Sequence, residues 1–439
     1  MKTIVCKLLI LTFVLALCFT LFSCGKDNDE EGDVSSKDKI TLNVYNWGEY
    51  ISDGSLGSYD TIAAFEEYCK NELNMNVEVN YSTYATNEDM YSKLSGGAGT
   101  YDIIIPSDYM IERMKNEGML YSFDVTELEN YKYISEEFRG MYYDPDECYS
   151  VPYTYGKVGI IYNSTMVDPV DVENKSWDIM WNEKYKGKIL QFNNPRDGMA
   201  SAMFLLGLDI NSTNKSDWDK SLEKLVEQKP LVQAYVSDEI YNKMISNSAS
   251  IAAYYAGDYL TMLDSNPDLA FYYPTEGTNV FVDAMCIPKN AKHPELAKEF
   301  INFMLSPEPA TANALYIGYA SPNSLVYENP SYIEEMGEDA MEVLYSEDES
   351  RYPFDPFYHS FSPELLAYTN GLWENLKTEN STELWVHITS VVIVGSLLGY
   401  AIYNICVKKK RSKDYRLRDK AKLLEKRNAE KSKASAQNK

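Results

Sequence analysis

Apolar and polar residues alternate from Ile40 to Tyr45, the two-residue period of a half-buried strand. Asp60 then stands where a helix cap is needed, ahead of an apolar stripe at Ile62, Phe65, Cys69 and Leu73 with helical spacing. Val77 to Tyr81 is the next strand. Asn87 is placed to cap a short helix whose first turn holds Glu88 and Asp89, where the positive end of the helix dipole favours acids, and Gly96-Gly97 ends it. Ile103-Ile104-Ile105 reads as a buried strand, and Asp108 as the cap of a helix that stops at Gly118. Strand and helix in this alternation predict a mostly parallel sheet covered by helices. Ligands on such sheets bind beyond the carboxyl ends of the strands, which directs attention to 46–50, 82–86 and 107–109.

The second half repeats the style less regularly. Ser150 to Gly159 has the pattern of a crossover strand, Ile189 to Phe192 is another strand, and Met199 to Leu208 a helix. Ile251 to Tyr255 and Phe281 to Ile287 are further strands, and Glu295 to Leu305 is a helix stopped by Pro307. The stretch 40–377 is too long for one ordinary core and is suited to two lobes.

Two apolar runs flank this body. Lys2 and Lys7 precede Leu8 to Phe22, then Leu21-Phe22-Ser23-Cys24 gives way to a charged linker over 24–39, so residues 1–23 read as a secretory signal. The last four residues of that run resemble a bacterial lipobox, which implies a lipid on Cys24. Leu384 to Val407 is 24 residues without Asp, Glu, Lys or Arg, enough for a transmembrane helix, which needs about 20. Residues 408–439 hold 14 basic and 4 acidic side chains. The positive-inside rule makes that basic tail cytoplasmic and puts 24–383 on the extracytoplasmic face of the cell membrane.

Charge sharpens this division. The formal total is −25, but Lys2 and Lys7 give the first 23 residues +2 and the tail is +10, so 24–407 carries −37. Such a field repels nucleic acid and attracts cations. Cys69, Cys148 and Cys286 form no paired spacing, so no disulfide framework is indicated.

Catalytic signatures are missing from the sequence: it has His293, His359 and His387 but no HExxH, GxSxG, Walker lysine loop or paired CxxC, and nothing that calls for a metal or cofactor. Instead, aromatic residues stand beside carboxylates at strand ends: Asn46-Trp47-Gly48-Glu49-Tyr50, Tyr81-Ser82-Thr83-Tyr84, Tyr254-Tyr255-Ala256-Gly257-Asp258 and Phe281-Val282-Asp283. Rings stack on methylenes and hold cations over their faces, while carboxylates take N–H donors in charge-assisted hydrogen bonds. On the residues alone, the ligand is a cation or a sugar.

Seven collinear segments carry a resemblance. They are NVYNWGEY from Asn43, YSTYATNEDMYSKL from Tyr81, YDIIIPSDY from Tyr101, KNEGML from Lys115, SWDIMWNEKYKG from Ser176, DAMCIPKNAK from Asp283 and IGYASPN from Ile317. Together they resemble the spermidine/putrescine-binding proteins of polyamine ABC transporters. The resemblance implies an α/β, two-lobed periplasmic-binding-protein fold of type II, with lobe 1 about 40–150 and 255–310 and lobe 2 about 151–254 and 311–377. It implies no catalysis. By position, Trp47, Tyr50 and Tyr84, with Ser82 beside them, match a first-lobe aromatic wall and hydroxyl contacts. Tyr255 stands where the family has a stacking Trp, Phe281 and Tyr319 match cleft aromatics, and Asp283 matches a deep amine anchor. Asp258 matches a carboxylate of putrescine-preferring members, and Asp197 an acid at a terminal-amine site. Asn194 stands where spermidine binders have an aspartate, and His359 where they have a glutamine.

The expected protein is thus the binding component of an ABC importer, capturing putrescine or spermidine and delivering it to a permease with its ATPase. The membrane is a second partner, reached through a lipid on Cys24 and the C-terminal helix. Alternatives are a binding protein for another small solute, or a membrane-anchored polyamine sensor or scaffold.

Overall fold

The computed structural model describes residues 39–378 apart from 98 and 347–349, together with 393–397, 399, 400, 402, 403, 407, 409, 418 and 420–427. The first lobe is built as the alternation predicts. Strand β1 (Ile40–Trp47) is followed by helix α1 (Thr61–Asn71), β2 (Val77–Tyr84), α2 (Asn87–Ser95), β3 (Ile103–Ile104) and α3 (Asp108–Asn116). β1 lies between β2 and β3 and runs parallel to both, with Trp47 opposite Tyr84 and Val44 opposite Ile103. The Asp60 carboxylate caps α1 through the Ala63 N–H at 2.9 Å.

Two expected caps move by one residue. Thr86, not Asn87, caps α2, and Ser107, not Asp108, occupies the cap position of α3. The reason is local competition: the Asn87 amide is turned sideways onto Ser107 and Tyr109, and the Asp108 carboxylate is buried against the Val282 N–H.

The lobes are joined by β4 (Ser150–Asn163), which passes from one to the other. The second lobe continues with β5 (Ile189–Phe192), α4 (Pro195–Leu205), β6 (Val232–Val236), β7 (Ile251–Tyr255), α5 (Ala256–Leu263) and β8 (Leu269–Tyr272). β9 (Val280–Cys286) then returns to the first lobe. The sheet order is β2-β1-β3-β9-β4-β7-β5-β6, with β8 on β4. From Ser150 to Lys157, β4 pairs antiparallel with β9, and from Val158 to Asn163 with β7 and β8. The change of partner puts the junction of the lobes at 156–158. Gly156 is required there, because a Cβ would lie 2.7 Å from the Phe281 ring.

One core gathers apolar side chains from 42–153 and 282–317, the other from 158–272 and 358–376. The segment 255–272 therefore packs in the second lobe; the chain returns to the first lobe at β9 and crosses back to the second between 317 and 358. Period-2 and period-3.6 patterns say that a segment is buried; they do not say in which core.

The C-terminal expectation is corrected. Among the described residues no helix is long and apolar enough to cross a membrane. A span needs about 20 apolar residues in one helix, and no described helix is of that kind. Most of the segment 384–407 lies outside the described residues, and the cytoplasmic placement of 408–439 loses its support with the span. Helix α6 (Pro363–Thr378) precedes it and is amphipathic, burying Leu365, Thr369, Trp373 and Leu376 on the second lobe. The signal and the Cys24 lipid site, in 1–38, also lie outside the described residues.

Candidate ligand-binding cleft

Three carboxylates stand at the junction, each placed by a strand end or a helix start. Asp283 and Phe281 lie two apart on β9 and so share a face. Asp258 is in the first turn of α5, directly after β7 ends at Tyr255. Asp197 is in the first turn of α4, behind the Asn194 cap, whose side chain accepts from the Asp197 N–H at 2.8 Å. Asp197 and Asp258 thus each lie at the positive end of a helix dipole.

Every one of these carboxylates accepts from tyrosine. Asp283 receives the Tyr50 hydroxyl at 2.6 Å and the Ser107 hydroxyl at 2.6 Å. A register shift in β4 between Pro152 and Thr154 brings the Thr154 hydroxyl to 2.7 Å from that of Tyr50; bulges re-aim side chains in this way. Asp258 receives Tyr241 at 2.6 Å and, from the first lobe, Tyr319. Asp197 receives Tyr255 at 2.6 Å, Tyr358 at 2.9 Å and the Asn194 amide at 2.8 Å.

The rings themselves form a chain. Tyr50 packs on Tyr319 with centroids 5.7 Å apart, Tyr319 on Phe281 at 5.8 Å, and Phe281 on Tyr255 at 5.5 Å, all edge-to-face. Three of the four carry a hydroxyl to a different carboxylate, and Phe281 lies between Tyr319 and Tyr255. An apolar path is thereby studded with three anionic acceptors. Burial pushes the Asp283 carboxyl up to about 6, against the pull of the Ser107 and Tyr50 hydrogen bonds. Burial also raises Asp258, with Tyr241 and Tyr319 pulling the other way. Keeping an anion in such surroundings without a cation is costly, so the site is poised to accept positive charge.

Other expected residues stand apart from these carboxylates. Trp47 is half-buried, its indole N–H donating to the Ile105 carbonyl at 2.9 Å. Tyr84 packs behind it at 4.6 Å and donates to the same carbonyl at 2.6 Å. Ser82 bonds the Val44 carbonyl at 3.3 Å. The His359 imidazole pairs with Asp355 at 2.9 Å. Conversely, Thr154, Tyr241 and Tyr358 were not singled out by the sequence, and Ser107 only as part of the strand-end loop 107–109. Ser107 lies in a strand-end loop of the kind that binds ligands and Tyr358 adjoins His359, but Thr154 and Tyr241 carry no local signal.

The ensemble can hold cations along an apolar path. Among the described residues no group of three or more His, Cys, Asp or Glu is arranged to hold a metal ion.

Comparison with known proteins agrees with this architecture. The family model of bacterial extracellular solute-binding proteins matches residues 60–337. A spermidine/putrescine-binding periplasmic protein of Salmonella typhimurium is 33% identical over 289 residues, which is 66% of this chain and 79% of that protein. A putrescine/cadaverine-binding protein of Pseudomonas aeruginosa is 28% identical over 293 residues, 64% of this chain and 79% of that one. Among solved structures, the spermidine/putrescine ABC transporter substrate-binding protein PotD of Streptococcus pneumoniae matches with a TM-score of 0.63 at 34% identity, covering 77% of this chain and 98% of its own. With the family model covering more than half of its length, the chain belongs to the bacterial extracellular solute-binding proteins.

Proposed function

We propose that this protein is the extracytoplasmic binding component of an ABC importer and that its ligand is a polyamine, putrescine or spermidine. The observation that carries the reading is the ring chain Tyr50–Tyr319–Phe281–Tyr255 with Asp283, Asp258 and Asp197 along it. A polyamine alternates ammonium groups with methylenes and matches such a path: rings cover the methylenes while carboxylates accept from the ammonium N–H groups. The curated relatives supply the same ligand class by name.

In this reading Asp197, Asp258 and Asp283 anchor ammonium groups, Tyr255, Phe281 and Tyr319 cover methylenes, and Trp47 with Tyr84 forms the first-lobe wall. The protein changes no covalent bond in its ligand. Closure about 156–158 presents both lobes to a permease coupled to an ATPase. A lipid on Cys24 ties it to the outer face of the membrane, which intact mass measurement of the exported protein tests.

Calorimetric titration with putrescine, cadaverine, spermidine and spermine tests the ligand. Heat that saturates with at least one, and an affinity that falls with salt, is expected; no heat with any of them ends the polyamine reading.

A further inference from the structure

Residues 355–361, which lead into α6, run between the lobes, and Tyr358 is the centre of this strap. Its hydroxyl donates to Asp197 Oδ1 at 2.9 Å. Its ring lies under the buried Arg196 guanidinium, whose Cζ is 4.3 Å from the ring centroid. Its carbonyl accepts from the Tyr142 hydroxyl, and Tyr142 packs on the first core. The next two residues continue the contact. The His359 ring is 4.3 Å from that of Tyr142 and its carbonyl accepts from Arg196 Nη2 at 3.2 Å. The Ser360 N–H donates to Glu112 Oε2 at 2.6 Å, on α3 of the first lobe. One carboxylate of the second lobe and two side chains of the first are thus tied together through three consecutive residues.

We propose that Tyr358 is a positioning residue that couples cation capture at Asp197 to closure of the lobes, with the Ser360–Glu112 bond as the far end of the coupling. The inference rests on the polyamine reading. A ligand shifts two lobes only by its difference in affinity for their closed and open arrangements. Tyr358 makes that difference depend on Asp197, because the hydroxyl that orients Asp197 Oδ1 belongs to the residue whose carbonyl is held by the first lobe. Glu112 lies outside the ring chain and its carboxylates, so its effect on affinity has to pass through the strap.

The test is a double-mutant cycle on the full chain, titrated with putrescine and with spermidine. Tyr358→Phe keeps the ring under Arg196 and removes the hydroxyl; Glu112→Ala removes the acceptor of the Ser360 N–H. Each is expected to weaken binding about tenfold, as for a lost hydrogen bond to a charged group. Glu112→Gln, which retains an oxygen acceptor, stays within about threefold of the wild type, and the double variant falls well short of the roughly hundredfold product. If Glu112→Ala does not fold, Tyr142→Phe takes its place with the same expectation, since it frees the Tyr358 carbonyl. Losses that multiply independently, or a Glu112→Ala protein that binds like the wild type, overturn the coupling and leave the polyamine reading standing. A wild type that binds neither polyamine overturns both.

Discussion

The Tyr50 hydroxyl donates to Asp283 Oδ2 at 2.6 Å, joining the loop after β1 to β9 across 233 positions of sequence. Tyr50 also packs on Tyr319, whose hydroxyl is committed to Asp258 in the other lobe. A charge at Asp283 is therefore connected, through two rings, to the contact between the lobes.

Asp283→Asn is expected to weaken polyamine binding by about 2 to 5 kcal/mol, the range for truncating one partner of a buried charge pair. Titration calorimetry at pH 7.5 measures it, and an unchanged affinity removes Asp283 from the site.

The same residue sets a pH dependence. Its carboxyl, pushed up to about 6 by burial, must be ionised to anchor an ammonium, so affinity falls as pH drops through about 6. For the unliganded protein the sign is opposite. A raised carboxyl favours the fold below its unfolded value of about 4, and that contribution, up to about 3 kcal/mol, is lost as pH rises to about 6. Affinity measured between pH 5 and 8 follows the first effect and thermal unfolding without ligand the second; both dependences flatten in Asp283→Asn.

Gly257→Ala probes the seat of Tyr319. A Cβ there would lie 2.8 Å from Tyr319 Cδ2 and 2.9 Å from the Gly318 carbonyl, so the ring has to leave both Asp258 and Phe281. The expected result is at least a tenfold loss of affinity with a lowered Tm, read by calorimetry and thermal scanning, because overpacking of this kind costs about 1 to 3 kcal/mol.

Asn194 caps α4 and holds Asp197 Oδ2 with its amide at 2.8 Å. Asn194→Ala should destabilise the protein by about 1 kcal/mol, the usual cost of a lost cap, and loosen Asp197. Asn194→Asp keeps the cap while adding a carboxylate beside Asp197. The ratio of spermidine to putrescine affinity should then rise several-fold in paired titrations; a constant ratio would separate position 194 from ligand length.

Much of the first lobe was legible because its elements are local: Asp60 ahead of a helical stripe and the alternation from Ile40 both act within a few residues. The anionic and aromatic members of the site were legible too, since Tyr255 and Asp258, or Phe281 and Asp283, adjoin in sequence at a strand end. The transmembrane expectation for 384–407 rested on hydropathy alone, and no described helix is long and apolar enough to cross a membrane. Tyr84 and His359, placed by resemblance, turn their polar atoms to Ile105 and Asp355, since a nearer partner satisfies each.

The sequence by itself determined the acidic charge, an α/β alternation long enough for two lobes and the strand ends that carry Asp258 and Asp283, because composition and short-range periodicity are properties of neighbours along the chain; Asp197 was reached by resemblance alone. Only the tertiary structure decided which hydroxyl serves which carboxylate: Tyr358 reaches Asp197 over 161 positions and Tyr319 reaches Asp258 over 61. Those pairings depend on where β4 changes partner and β9 returns, and strand register between distant segments leaves no local trace.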